Sequence, residues 1–342
     1  MPPPSLIVKP KTLDTSFSFY VHTADPIAVR ESAMAADAVI VRGQEGPALV
    51  RAIRLAGWEG TALFDLAGYE DRSNEAPSRW FDMQREAGAD RVLTPGCFVD
   101  WTKAPSQFMS LAGNELALAA SQPDATALVA IDYRWLSKGL YEAVEGLRKA
   151  GTPVALVLAD NADPLARSQA VGGLIAMLSK VPSLSVLRSD HGAIGALAFG
   201  AAHASIGLRA TYRHFVPPKS SASAIPNDRT PRIFIREMMD WFSGSNIAGW
   251  ATTSVQMACQ CPTCKGASLA RFLDTSLKRE ADSHNIAVLA ELANDVLGAP
   301  ANERRRYFGR LCKDALEHYG PMGKLSMVTK PKPQLEQWAL YA

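Results

Sequence analysis

The chain has 342 residues, 47% hydrophobic and 20% charged, a balance that excludes the disordered and fibrous classes. A formal charge of +2 and a pI near 8.2 are mildly basic, far from the balance that by itself announces a nucleic-acid binder, and neither make nor exclude that case. The start Met1-Pro-Pro-Pro-Ser5 has no secretory pattern and no stretch reaches 18 apolar residues, so a cytoplasmic protein with no membrane contact is expected.

In chain order, eight short runs rich in apolar and β-branched residues predict strands: Phe17–His22, Ala38–Arg42, Thr61–Asp65, Arg91–Thr94, Ala127–Asp132, Pro153–Leu158, Leu184–Arg188 and His203–Gly207. Between them the patterns predict helices over Pro26–Met34, Gly46–Ala56, Ser78–Gly88, Trp101–Gln122, Lys138–Ala150, Pro164–Val181 and Gly192–Ala201. Strands separated by single helices run parallel with right-handed crossovers, and eight such units close a barrel. The expected fold class is therefore α/β, a (βα)8 TIM barrel. An open doubly wound sheet is the alternative, weakened because no Gly-rich dinucleotide fingerprint follows the first run.

Beyond the eighth run, Pro217–Pro226 reads as a Pro/Ser-rich loop, Thr230–Leu273 carries a cysteine cluster, and Ser268–Leu297 regains helical periodicity that can supply the barrel's last helix. The division is 1–216 for the barrel strands and helices, and 217–342 for a zinc-binding subdomain inserted after the eighth strand, with C-terminal helices completing the barrel.

Cys259-Gln-Cys261-Pro-Thr-Cys264 places three sulfurs within six residues, and His284 follows on a predicted helix. Three thiolates and one imidazole make a closed tetrahedral shell, the composition of a structural zinc site with no position left for water. An iron–sulfur cluster with Cys312 as fourth thiolate, or unligated thiols, are the alternatives. Cys97 and Cys312 otherwise read as buried thiols.

The Cys-x-Cys-x-x-Cys run and the helix bearing His284-Asn285 resemble the zinc signature of the tRNA-guanine transglycosylase superfamily, whose zinc subdomain interrupts a (βα)8 barrel after its eighth strand. Barrel active sites lie at the carboxyl ends of the strands, here His22, Arg42, Asp65, Thr94, Asp132, Asp160, Arg188 with Asp190, and Arg209. Phe64-Asp65-Leu-Ala-Gly-Tyr69 is similar to the family's Asp-Ser-Gly-Gly-Phe segment, which makes Asp65 a catalytic candidate, although Leu66 and Ala67 depart from the pattern. Asp132 resembles the family aspartate that hydrogen-bonds a flipped guanine. The family's eighth-strand Phe-Asp nucleophile has no counterpart in His203-Ala-Ser-Ile-Gly-Leu208, and no acidic residue lies between Ala201 and Pro226, so Asp65 or Asp190 would have to replace it.

Asp190-His191-Gly192 opens a small-residue helix that suits phosphate approach or tight packing. Arg188, Arg209, Arg213 and His214, with Tyr212, are candidate substrate contacts, suited to a phosphate backbone or a stacked base, or to ordinary salt bridges. Arg304-Arg-Arg306, Lys313, Lys324, Lys330 and Lys332 make the C-terminal part basic and read mainly as a solvated face.

The resemblance implies a divergent transglycosylase-like protein that exchanges or recognises a guanine or 7-deazaguanine base in tRNA or DNA. The alternatives are a non-catalytic binding subunit, dimerising through the zinc region, and a barrel enzyme acting on small nucleosides.

Overall fold

The structure is a computed structural model and describes residues 16–36, 38–70, 76–149, 151–217, 228–251, 257–324 and 330–342. The Pro/Ser-rich loop expected over 217–226 lies, from 218 onward, outside the described residues.

The elements in order are β1 (Ser16–His22), α1 (Pro26–Ala36), β2 (Ala38–Arg42), α2 (Gly46–Leu55), β3 (Thr61–Asp65), α3 (Pro77–Glu86), β4 (Val92–Leu93), β5 (Cys97–Val99), α4 (Pro105–Ala120), β6 (Ala125–Asp132), α5 (Arg134–Ser137), α6 (Leu140–Arg148), β7 (Val154–Ala159), α7 (Ala170–Lys180), β8 (Leu184–Ser189), α8 (Gly192–Ala198) and β9 (His203–Gly207). There follow β10 (Arg232–Ile235), β11 (Asp240–Ser243), α9 (Gly244–Ala251), α10 (Lys278–Gly298), α11 (Arg304–Lys324) and α12 (Pro333–Ala339). Pro77, Pro105 and Pro333 open their helices, where a missing N–H costs nothing.

The parallel strands run in the spatial order β3-β2-β1-β9-β8-β7-β6-β4, and β5 also pairs with β6, so β4 and β5 are two pieces of one stave. This is a nearly closed barrel of eight parallel staves, as the alternation of runs and helices implied. The seam lies between β3 and β4. There the Gly68 N–H donates to the Pro95 carbonyl at 3.0 Å, and a Cβ on Gly68 would sit 2.7 Å from that oxygen. The unpaired edge of β4 is satisfied by a side chain: the Leu93 N–H donates to Gln84 Oε1 at 2.9 Å, and Gln84 Nε2 donates to the Leu93 carbonyl at 2.9 Å. One buried amide thus replaces the neighbour that a closed ladder would supply.

Strand alternation sorts the core into two layers. Tyr20, Ile40, Leu63, Leu128, Ala130, Val157 and Leu187 fill the barrel interior. Phe19, Val39, Val41, Phe64, Val129, Leu156 and Val186, of opposite parity, face the helices. In the helix layer α10 lies against α1 and α8, where the eighth helix belongs, and α11 packs on α8 and α12. Gly195 of α8 permits that packing, because a Cβ there would meet the Phe308 and Trp338 rings at 2.7 and 2.9 Å.

Three expectations are corrected in detail. Pro164–Val181 is not one helix but a 3-10 turn at Pro164–Ala166, capped by Asp163, followed by α7, with Gln169 at φ +65° between them. Cys97 is half-buried rather than buried, whereas Cys312 is buried. The antiparallel hairpin β10–β11 was not foreseen; it is buried on both faces, so the polar alternation that marks a strand is missing.

Candidate metal centre and barrel mouth

The cysteine cluster sits on a tight loop that leaves and rejoins an isolated antiparallel bridge, Ala258 to Ser268. The loop closes through Gly266 N–H to the Cys259 carbonyl (2.8 Å) and Cys264 N–H to the Cys261 carbonyl (3.0 Å), with Lys265 and Gly266 at φ +51° and +88°. The ligand atoms of Cys259, Cys261, Cys264 and His284 all lie within 4.8 Å of one another, so these four can hold a metal ion. His284 Nδ1 is 3.6, 3.5 and 3.3 Å from the sulfurs of Cys259, Cys261 and Cys264. Cys312 is on α11 and is not in the cluster, which removes it as the fourth ligand. With no cation between them the thiols would stay protonated: burial pushes Cys259 up to about 12 and also raises Cys264.

Around these four residues a second set of groups fixes orientation. His284 Nε2 donates to the Phe234 carbonyl at 3.1 Å, which leaves Nδ1 as the ligand atom. The adjacent Asn285 accepts from the Phe234 N–H (2.8 Å) and donates to the Arg232 carbonyl (2.8 Å). The His-Asn pair therefore stitches α10 to the edge of β10. Backbone N–H groups of Cys261 and Cys264 donate to Cys259 and Cys261 Sγ, both at 3.4 Å, and Arg271 reaches Cys264 Sγ at 3.3 Å while pairing with Glu280. A guanidinium at that point offsets the excess negative charge of three thiolates around a divalent ion.

At the barrel mouth Asp65 is completely buried. Its Oδ2 accepts from the Tyr20 hydroxyl (2.6 Å) and the Tyr69 hydroxyl (2.7 Å), and its Oδ1 from the Ala67 N–H (2.7 Å). Burial raises its pKa against the opposing pull of these three bonds and of Arg188. Arg188 reaches the interior because β8 and β9 slip register between Val186 and Ser189, and because Arg188 itself takes φ +51°. Its guanidinium sits 5.8 Å from the rings of Tyr20, Tyr69 and Phe215, and it pairs with Glu70, which also binds Arg42.

Above this group the chain closes its own barrel. After β9 it crosses the mouth so that Phe215 bridges to Ala159 at the end of β7. Phe215 is 2% exposed and meets Tyr69 and Phe98 edge-on, with centroids 5.2 and 5.0 Å away. The remaining strand ends are paired. Asp132 gives both oxygens to Arg134 (2.8 and 2.6 Å), and Asp160 binds Arg167 at 2.5 Å. Arg209 bridges Asp25 and Asp282 at 2.9 Å each, while His22 stacks on Tyr212. Arg213 lies 3.2 Å from the Trp241 ring centroid, and burial lowers its pKa to about 10; burial lowers His214 to about 4.

Asp190 belongs to a second buried group, away from Asp65. Its Oδ1 accepts from Trp241 Nε1 (2.5 Å) and the His191 N–H (2.7 Å), and its Oδ2 from Lys332 Nζ (2.9 Å). The structure thus brings Asp65 together with Arg188, and Asp190 with Arg213, but does not bring the two carboxylates into one network. Sequence reasoning missed Tyr20, Tyr69, Glu70, Trp241, Asp240 and Lys332. Strand parity alone would have turned Tyr20 inward with Asp65.

No protein-family model matches this chain, and no curated protein matches it. Among the described residues no helix is long and apolar enough to cross a membrane.

Proposed function

We propose that this chain is a transglycosylase-type barrel with a structural zinc, and that it recognises nucleic acid without exchanging a base itself. The zinc assignment is supported by composition and distance. In a tetrahedral ion with Zn–S near 2.3 Å and Zn–N near 2.05 Å, a sulfur and a nitrogen stand about 3.6 Å apart. The three such separations here are 3.3–3.6 Å. Such an ion has no open position, so it supplies folding energy and the subdomain inserted after β9 is held by it.

The observation that carries the non-catalytic reading is the complete burial of Asp65, with both carboxylate oxygens already bonded and Phe215 packed on its partner Tyr69. A nucleophile must reach an anomeric carbon, and a base reader must have free acceptors. Asp132 spends both oxygens on Arg134, and the end of β9 carries no carboxylate. The nucleic-acid reading draws on the rim: Arg134, half-buried, and Arg167, exposed, lie 5.9 and 5.5 Å from the Tyr133 ring, a set suited to phosphate and base stacking.

One observation favours the rival reading of an exchanging enzyme: the left-handed backbone of Arg188 aims a guanidinium at the Asp65–tyrosine group, and strain of this kind gathers at reactive sites. That reading requires the Phe215 segment to move. Equilibrium binding of tRNA and of duplex DNA across a salt series tests the proposal. Affinity that falls with salt, and falls again in Arg134→Ala/Arg167→Ala, is expected. Binding unaffected by both changes, or absent, overturns the nucleic-acid assignment.

A further inference from the structure

The group around Asp190 is built like a binding site whose ligand is already in place. Two carboxylates, Asp190 just past β8 and Asp240 at the start of β11, share one cation, and a third, Asp163 in the loop after β7, is tied to the same C-terminal segment. Asp190 and Asp240 are 6% and 5% exposed. The cation between them is Lys332, from the segment that leads into α12, with Nζ 2.9 Å from Asp190 Oδ2 and 2.9 Å from Asp240 Oδ1. Trp241 Nε1 and the Tyr319 hydroxyl orient the two acceptors from behind, at 2.5 and 3.1 Å. From the same segment Gln334 Nε2 donates to Asp163 at 2.6 Å.

Two observations separate this arrangement from an ordinary ion pair. His191 is fully buried with its Nε2 unpartnered, and its Nδ1 stands 3.5 Å from Asp190 Oδ1. Gln334 Oε1 is also buried without a partner. Buried polar atoms are nearly always satisfied, and an exception calls for an explanation such as strain, a functional role or a bound water or ion. The surroundings also fit a slender cation. Asp190 is held well below the usual carboxylate range: burial alone would raise it, but Lys332, His191 and Arg213 outweigh that, so it stays ionised. The site lies past the end of a barrel strand, where such folds bind ligands.

We propose that Asp190 and Asp240, with Asp163 beside them, form a primary-ammonium binding site filled in cis by Lys332, so that the C-terminal segment acts as a tethered ligand whose place a free primary amine takes once the lysine is removed. The site is independent of the nucleic-acid reading and of the metal cluster.

Chemical rescue tests it on the full chain. Lys332→Ala removes the part of the side chain that propylammonium restores. The variant is expected to melt roughly 5–10 °C below the parent, since carboxylates lose their buried cation. Tens of millimolar propylammonium should recover most of that shift, whereas tetramethylammonium or sodium at equal ionic strength should not. The parent chain should not respond, and Asp190→Asn added to Lys332→Ala should abolish the response. Equal melting of variant and parent, or a response that tetramethylammonium reproduces or that Asp190→Asn leaves intact, overturns the proposal. If Lys332→Ala does not fold unaided, it is refolded from urea in propylammonium and, separately, in tetramethylammonium at equal ionic strength; equal yields in the two are the same refutation.

Discussion

Removing the metal should loosen one part of the molecule and spare the rest. The loop over residues 257–268 is tied by a few backbone bonds, among them Cys259 N–H to the Ala267 carbonyl (3.2 Å) and Leu269 N–H to the Met257 carbonyl (2.8 Å), and otherwise by the ion that its four candidate ligands would hold. A structural zinc binds with an apparent free energy of order 12 kcal/mol, a dissociation constant near 1 nM. At roughly 1 µM free zinc this protects the loop against local opening by about 4 kcal/mol, close to a thousand-fold. Hydrogen–deuterium exchange read by mass spectrometry, before and after chelation, should therefore show the amides of Cys261, Cys264 and Gly266 accelerating by about that factor. The Phe234 amide, which donates to Asn285 next to the candidate ligand His284, should follow. Amides of β6 and β7, buried in the barrel and bonded to each other, should keep their protection. Unchanged exchange in the loop, or an equal rise throughout β6 and β7, would refute the reasoning.

Other perturbations have equally definite outcomes. Burial lowers His203 to about 4, and both ring nitrogens are bonded, to Ser16 Oγ at 2.7 Å and Ser18 Oγ at 2.8 Å. Because the folded value is depressed, the neutral ring contributes full stability above the unfolded value of about 6.5, and about 3 kcal/mol is lost as pH falls from 6.5 to 4. Urea titrations of the parent and His203→Asn at pH 7 and pH 4 should show the gap between them shrinking by that amount; a constant gap contradicts it. Gln84→Leu leaves the Leu93 N–H without its acceptor and should cost about 1–3 kcal/mol in the same assay, and an unchanged midpoint would show that the seam closes by other means. Gly68→Ala forces a methyl to 2.7 Å from the Pro95 carbonyl and should cost roughly 1–3 kcal/mol, with parental stability as the contrary result.

The barrel was legible because each stave is a short apolar run at a regular period, and the strands were found within a residue or two at most ends. The cysteine cluster was legible because its ligands are close in sequence and chemically unusual. What stayed hidden depends on contacts across long sequence separations. Lys332 reads as one more basic residue of a solvated tail, and only the fold brings it to Asp190, 142 positions earlier. Gln84 looks like a polar residue on an amphipathic helix until β4 is seen to lack a neighbour. Helix α11 places Phe308, Cys312, Ala315 and Tyr319 on one buried face, a stripe obscured in the sequence by the arginine run at its start. Part of that run is structural: Arg304 donates to the Leu297 and Ala299 carbonyls at the end of α10. The small residues of α8, read as suiting phosphate approach or packing, lie against Phe308 and Trp338 at Gly195 and against Leu165 at Gly192.

The central claim is that the barrel recognises nucleic acid without exchanging a base. Its most direct test incubates the purified, zinc-loaded chain with radiolabelled guanine and, separately, total tRNA and genomic DNA, then counts label in the recovered polymer. No label is expected in either, because Asp65 is completely buried with both oxygens bonded and the last barrel strand ends without a carboxylate. Label entering tRNA or DNA would contradict it and would show that one of the buried carboxylates becomes accessible and attacks the sugar.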